Sequence, residues 1–354
     1  MENENEEKIS PLKFSLKNLI ILFLVIAGIY FLVPKLVGLE QALRLLKNIN
    51  KFYLLLAILA ELLSYASAAW LLGIILSRLG HKIPFFTRYK FSSIAAFTMH
   101  FLPISGIGAA AVDYKLFRKQ KVDSGSIVLI WILRTLFTYI GFLALFVIGL
   151  IMVPAIQSAS FSPKIVSLVI FSLIISAVLY LYLLYKHKDR FQKVWNKLFD
   201  FANRMLVKIK KGPIPGSKRD EVFEDIYKGI NLFSRKKRTS AFAVLAAILY
   251  WLGDMVCLFF MFQAFGFTIP FGILIFGYCV STIFGLLSAI PGGIGVTDGS
   301  LVLIYSSLGV TSSIALMATL VFRLFSFWIW IPVGFLSYLS LQKENVSKNS
   351  HTVE

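Results

Sequence analysis

Between Thr239 and Phe322 the chain has no lysine, arginine or histidine, and its only charges there are Asp254 and Asp298. So long a stretch without cations is typical of membrane segments and their external flanks. Cysteine is nearly absent as well. Cys257 and Cys279, two in 354 residues, fall in apolar runs and form neither a disulfide framework nor a metal-ligand spacing, which leaves core packing as their default. Enzyme signatures are missing: there is no Walker loop, no nucleophile elbow and no paired His/Cys spacing, and the Gly106/Gly108 pair lacks the strand context of dinucleotide binding. No catalytic residue, metal or cofactor is therefore expected. Charge of either sign is scarce, at 15% of residues, which excludes a soluble globular balance.

What is present is apolar. The composition is 58% hydrophobic, the mean hydropathy is +0.78, and long apolar runs occupy residues 19–34, 52–77, 126–153, 165–185, 241–265 and 313–339. A helix needs about 20 such residues to cross the hydrocarbon, so the sequence predicts an all-α polytopic membrane protein with about six full transmembrane helices. The acidic flank Glu2, Glu4, Glu6 and Glu7 marks the first run as a retained helix rather than a cleaved signal.

The net charge of +18 is concentrated beside the apolar runs. Residues 186–238 carry 16 Lys and Arg against 6 Asp and Glu, or +10 of the total. Basic flanks mark the cytoplasmic side and attract anionic lipid. Within this loop Phe191, Val194, Trp195, Leu198, Phe199, Ala202, Met205 and Leu206 recur at three- and four-residue steps, and a second stripe follows the turn at 212–217 through Val222, Phe223, Ile226, Tyr227 and Ile230. The pattern predicts a cytoplasmic amphipathic helical hairpin on the membrane face.

Two Pro/Gly breaks interrupt apolar sequence, one from Pro103 through Gly106 to Gly108 and the other at Pro291, Gly292, Gly293 and Gly295. Each is followed by an acid, Asp113 or Asp298, and by an arginine, Arg134 or Arg323, 26 and 28 residues after the last glycine. Such breaks free backbone groups that lipid cannot satisfy, so a pair of them points to broken helices around a polar site. The first break has basic flanks on both sides (Arg78, Lys82, Arg88, Lys90; Lys115, Arg118, Lys119, Lys121), whereas the second has none. The charge rule therefore reads them as re-entrant hairpins entering from opposite faces: residues 91–112 from the cytoplasm and 271–310 from outside.

The expected order is a cytoplasmic tail (1–18), one integral membrane domain (19–342) and a second cytoplasmic tail (343–354). Within the domain lie repeat 1 (about 52–153), a linking helix (165–185), the basic loop (186–238) and repeat 2 (about 241–340), the two repeats having inverted topology. Arg134-Thr135-Leu136-Phe137-Thr138-Tyr139 resembles Arg323-Leu324-Phe325-Ser326-Phe327-Trp328. Lys35, Arg44, Lys47 and Lys51 depart from the charge rule, and residues 38–50 read either as an external loop or as a short interfacial helix.

Ionisable groups at membrane depth are costly, at ~2.5 kcal/mol or more each on insertion scales. Arg134, Arg323, Glu61 and Asp254 are therefore candidate substrate-binding residues, together with Asp113, Asp298 and the tip residues named above. In the functional reading the guanidiniums and tip N–H groups hold a lipid phosphate, and the carboxylates pair with them or with a cationic headgroup. In the structural reading Arg134 pairs with Glu61 or Asp113, and Arg323 with Asp254 or Asp298, to pin helices. His100 and the tryptophans Trp70, Trp131, Trp251, Trp328 and Trp330 read as packing or interface residues.

Ile290-Pro291-Gly292-Gly293-Ile294-Gly295-Val296-Thr297-Asp298-Gly299 resembles the Pro-Gly-Gly-x-Gly-x-x-acid segment of the lysylphosphatidylglycerol synthase transmembrane, or flippase-like, family. The first tip is similar to that family's earlier Pro-x-x-x-Gly-acid segment but has Ser105 and an inserted Ala109-Ala110-Ala111-Val112, which places Asp113 further from the glycine. The resemblance implies a multi-pass cell-membrane protein that moves lipid between leaflets, and the charge rule puts both termini in the cytoplasm. Its substrate would be a phospholipid, aminoacylated phosphatidylglycerol included, or a polyprenol-linked lipid. Fused family members carry a soluble synthase domain, which is not expected here because the chain ends at Glu354, soon after its last apolar run; the alternative is a membrane-embedded headgroup transferase. Membrane lipids are the expected partners and nucleic acid is not, while self-association stays open.

Overall fold

The computed structural model describes residues 47, 49–101, 105–153, 172, 186–208, 215–217, 219, 220, 222–224, 227, 236–288 and 290–350. The apolar runs at 19–34 and 165–185, Pro103, and most of the turn at 212–217 lie outside them. Among the described residues every regular element is helical. From Asn50 onward these are α1 (Lys51–Arg78), α2 (Phe85–Phe101), α3 (Ser105–Lys119), α4 (Ser124–Met152), α5 (Lys188–Lys208), α6 (Lys237–Ala264), α7 (Phe271–Leu287), α8 (Val296–Ser307), α9 (Ser312–Arg323) and α10 (Trp330–Ser350). A 3₁₀ turn at Pro291–Gly293 precedes α8, and a π turn at Leu324–Trp328 joins α9 to α10. Four segments are long and apolar enough to cross a membrane: Lys51–Arg78, Ser124–Met152, Lys237–Ala264 and Ser312–Gln342.

The long helices start where side chains satisfy their free N–H groups. Asn50 accepts from Phe52 N at 3.0 Å and Asp123 from Ser126 N at 2.8 Å, an N-cap for α1 and for α4. α1 and α6 form the central pair, and the bond from Asn50 N to Ala264 O (3.0 Å) ties the start of one to the end of the other, so they run antiparallel. Small residues let them approach closely: a methyl group at Gly253 would come within 2.6 Å of Ser64 Cβ. Close backbone approach of this kind is how helices associate where lipid is the solvent.

Both members of the pair end in the same corner. Leu79-Gly80-x-x-Ile83-Pro84-Phe85 closes α1 and opens α2, and Phe265-Gly266-x-x-Ile269-Pro270-Phe271 closes α6 and opens α7. Gly80 and Gly266 have φ of 83° and 74°, the left-handed end that favours glycine. The backbone bonds coincide as well: His81 N to Leu76 O matches Phe267 N to Phe262 O, and Arg88 N to Pro84 O matches Leu274 N to Pro270 O. This sequence repeat is more specific than the Arg134/Arg323 likeness. In its register Glu61 falls opposite Ala247 and Asp254 opposite Ala68, so the two acids occupy equivalent helices but not equivalent positions.

The halves also exchange partners. α2 lies along α10, and α7 lies along α4. Gly334 of α10 gives room to Ser93 and Phe97 of α2, while Gly149 of α4 gives room to Ile275 and Phe276 of α7. One apolar core surrounds Phe146, Phe262 and Tyr305; a second surrounds Leu72, Phe91, Phe117 and Ile130.

The apolar run 313–339 is not one regular helix. After Arg323 the backbone widens into the π turn, where Ile329 N bonds Leu324 O at 3.0 Å. Pro332 accounts for the interruption: it has no N–H to offer Trp328 O, and its ring would crowd that carbonyl in a continuous helix. In the first turn of α10 the missing N–H costs nothing. In the basic loop the amphipathic stripe forms α5, with Phe191 against Phe223 and Trp195 Nε1 donating to Arg219 O at 3.2 Å.

Candidate functional site

Arg134 and Arg323 open onto one cavity of about 550 Å³, whose walls come from α1, α2, α3, α4, α6, α7, the Pro291–Gly293 turn, α8, α9 and the π turn. Each arginine is backed by the acid that follows its own break. Arg134 Nη2 donates to Asp113 Oδ2 at 2.9 Å, and Asp113 is 2% exposed; Arg323 Nε donates to Asp298 Oδ1. Of the pairings open to the structural reading, those with Asp113 and Asp298 form, and Glu61 and Asp254 bind elsewhere.

Asp298 does two things at once. Its Oδ2 accepts from Gly295 N at 2.8 Å, closing the first turn of α8, while Oδ1 holds Arg323. Gly292 and Gly293 both have φ of 64°, and a methyl group on Gly292 would lie 2.2 Å from the Phe327 ring. The Pro-Gly-Gly-x-Gly spacing thus follows from left-handed backbone packed against an aromatic ring. Gly292 O in turn accepts from Arg323 Nη2 at 3.4 Å.

Phe327, carried by the π turn, joins the two halves. The His100 ring stacks on it at 4.0 Å, and the Arg323 guanidinium lies 5.4 Å from its centre. His100 lies in the last turn of α2, before the first break, and α2 packs against the Pro291–Gly293 turn, so the segments leading to the two breaks meet here. Gly106 and Gly108 fall in the first turns of α3; Pro103 lies outside the described residues. Gly292 and Gly293 line the cavity, whereas Gly295 caps α8 to one side.

Asp254 is on the cavity wall, accepting from Tyr278 OH at 2.7 Å and Ser64 Oγ at 3.1 Å. Glu61 is not on that wall. It is 3% exposed between α1 and its neighbours, with Trp330 Nε1 donating to Oε1 at 3.1 Å. The cavity therefore has a cationic side, Arg134 and Arg323, and an anionic residue, Asp254, joined by hydroxyls from Thr135, Thr138, Ser326, Thr282 and Thr297.

Sequence reading missed the aromatic part of the site. Tyr65, Tyr250, Tyr278, Trp131 and Trp251 line the cavity, and Trp251 Nε1 donates to Thr138 O at 2.8 Å. With 33 Phe and 14 Tyr in the chain, no tyrosine stood out, and Trp131 and Trp251 read as packing or interface residues. The π turn was also missed, and Pro332 was the available signal for it. Among the described residues no group of three or more His, Cys, Asp or Glu could hold a metal.

The family described as the lysylphosphatidylglycerol synthase TM region matches residues 19–334. A UPF0104 membrane protein of Methanocaldococcus jannaschii is 24% identical over 87% of this chain and 90% of its own. Another, of Methanothermobacter thermautotrophicus, is 29% identical over 30% of this chain and 31% of its own. A third, of Pyrococcus horikoshii, is 28% identical over 44% of this chain and 45% of its own. In the last two comparisons the chain spans less than half the length of the relative. The matched span contains both breaks, both arginines and their acids, and the chain, an integral membrane protein, belongs to the family of the lysylphosphatidylglycerol synthase TM region.

Proposed function

We infer that the protein moves a phosphate-bearing lipid between the leaflets of the cell membrane, holding the headgroup in the cavity between its two halves. The observation that carries this reading is the convergence of Arg134 and Arg323, each braced by a carboxylate, on a single cavity. Its ~550 Å³ lies within the range of small-ligand sites, about 300–1,000 Å³. Guanidiniums suit bidentate contact with phosphate. Asp113 and Asp298 occupy some of their donors and fix the direction of the rest. Asp254, across the cavity, is placed for a cationic or hydroxyl-bearing part of the headgroup.

Alternating access is supported by the antiparallel α1–α6 pair, the shared corner and the exchange of α2 and α7 between halves. In this reading the two halves are inverted repeats with re-entrant hairpins, α2–α3 entering from the cytoplasm and α7–α8 from outside. The basic residues around the α1–α2 corner and α3, and the basic loop, support a reading with those ends and both termini in the cytoplasm.

Transport and headgroup transfer leave different traces in a cell. In strains with and without the protein, lipid mass spectrometry should give one inventory, while impermeant headgroup labelling should show altered outer-leaflet exposure. A lipid species made only when the protein is present would instead favour a transferase.

A further inference from the structure

Glu61 is one helical turn from Ser64, which bonds Asp254, so the two acids flank the closest approach of α1 and α6. Asp254 faces the cavity and Glu61 lies behind it. The Glu61 carboxyl is incompletely satisfied: Oε1 has the indole of Trp330, and buried Oε2 has no N–H or O–H partner among the described residues. Among those residues, the polar groups around it are Tyr65 of α1, Tyr89 of α2, Asp254, Cys257 and Tyr250 of α6, Tyr278 of α7 and Trp330 of α10. None carries a positive charge, and the thiol beside it is at most a weak donor. The arginines are committed on the cavity side to Asp113 and Asp298.

An ionised carboxylate held at such a place lacks a counter-charge, and an added proton is the smallest ligand that removes the deficit. The cavity brings solvent close to it: Asp254 meets the cavity and accepts from Ser64, which lies one helical turn along α1 from Glu61. Glu61 is also tied to the arginine side of the site. Its bond to Trp330 reaches the first residue of α10, two residues after the π turn that carries Phe327 and follows Arg323. Gain or loss of the proton therefore acts on the joint between α1 and the segment that holds the phosphate-side arginine.

We propose that Glu61, reached through Asp254, is a proton-binding site that couples lipid transfer to a transmembrane proton gradient. The proton adds to a carboxylate oxygen when the cavity faces one side and leaves when it faces the other; no other bond forms or breaks. The proposal rests on the reading of the protein as a lipid transporter and supplies its energy source.

The test uses full-length protein in vesicles of phosphatidylethanolamine and phosphatidylglycerol carrying headgroup-labelled phosphatidylglycerol as probe. With one proton per lipid, the steady-state leaflet ratio should change about tenfold per unit of imposed pH difference, and in Glu61→Gln it should ignore the gradient. A ratio that still follows the gradient in Glu61→Gln overturns the proposal, as does wild-type transfer that responds to sodium and not to pH. Infrared difference spectra of the purified protein give a second readout that needs no transfer. A titrating carboxylic-acid C=O band should be present in the wild type and lost in Glu61→Gln, and a band unchanged by that substitution sinks the proton site. Absence of lipid transfer with the band intact would count against the transporter reading alone.

Discussion

Asp113 is the residue on which the first half of the site depends. It is buried at 2% exposure and has Arg134 as its cation, so removing one partner leaves the other uncompensated, which typically costs about 3–5 kcal/mol. Arg134→Ala should therefore lower thermal stability in detergent sharply, and Asp113→Asn combined with Arg134→Gln should restore most of it, because an amide pair keeps a hydrogen bond without charge. Thermal unfolding of the two variants checks this. If the double substitution is as unstable as the single one, the ion pair is not what holds α3 to α4. The paired arginines and their acids were legible in the sequence because charges are so rare in the apolar runs. Which acid serves which arginine was not, because all four acids fall at plausible depths and only the fold separates Asp113 and Asp298 from Glu61 and Asp254.

At the scale of elements, the π turn is the device that aims the site. It turns Phe327 onto Gly292 and His100 and sets Trp330 against Glu61. Replacing Pro332 with Ala would permit a continuous α-helix, turning everything after Arg323 by about 100° for the one residue that the wider turn absorbs. Lipid transfer should then fall by about 10- to 100-fold, as expected of a site whose groups are misplaced, while the melting temperature stays level or rises. Unchanged transfer would mean that the π turn is incidental. The limits of α1, α4 and α6 followed from apolar length with small shifts, and α5 from its stripe. The π turn lay hidden because hydropathy does not register a one-residue widening of a helix. Pro332 alone marked it.

On the scale of the whole molecule, the claim concerns direction. The Gly-x-x-Ile-Pro-Phe corner repeats in both halves, and the helices it follows are antiparallel, so equivalent corners should face opposite sides of the membrane. Lys119→Cys, at the end of α3, should react with an impermeant thiol reagent only from the cytoplasmic side, and Thr311→Cys, between α8 and α9, only from outside. Cys257 and Cys279 are buried and leave a low background. Labelling of both positions from one side would refute inversion. Charge bias supplies the directions that this labelling tests, whereas the pairing of α2 with α10 and of α7 with α4 was not legible in the sequence, since it depends on close approaches at Gly149 and Gly334 that no local pattern announces.

The central claim is that one cavity, with an arginine from each half, carries a lipid phosphate. Its most direct test is leaflet transfer in proteoliposomes for two charge-neutral swaps, Asp113→Asn with Arg134→Gln and Asp298→Asn with Arg323→Gln. Each keeps a hydrogen-bonded pair and removes the cation, and loss of one charge-assisted phosphate contact, about 1.5–3 kcal/mol, corresponds to a roughly 10- to 100-fold slower transfer. The account predicts that loss in both swaps at near wild-type thermal stability. Wild-type transfer in both stable swaps would contradict it.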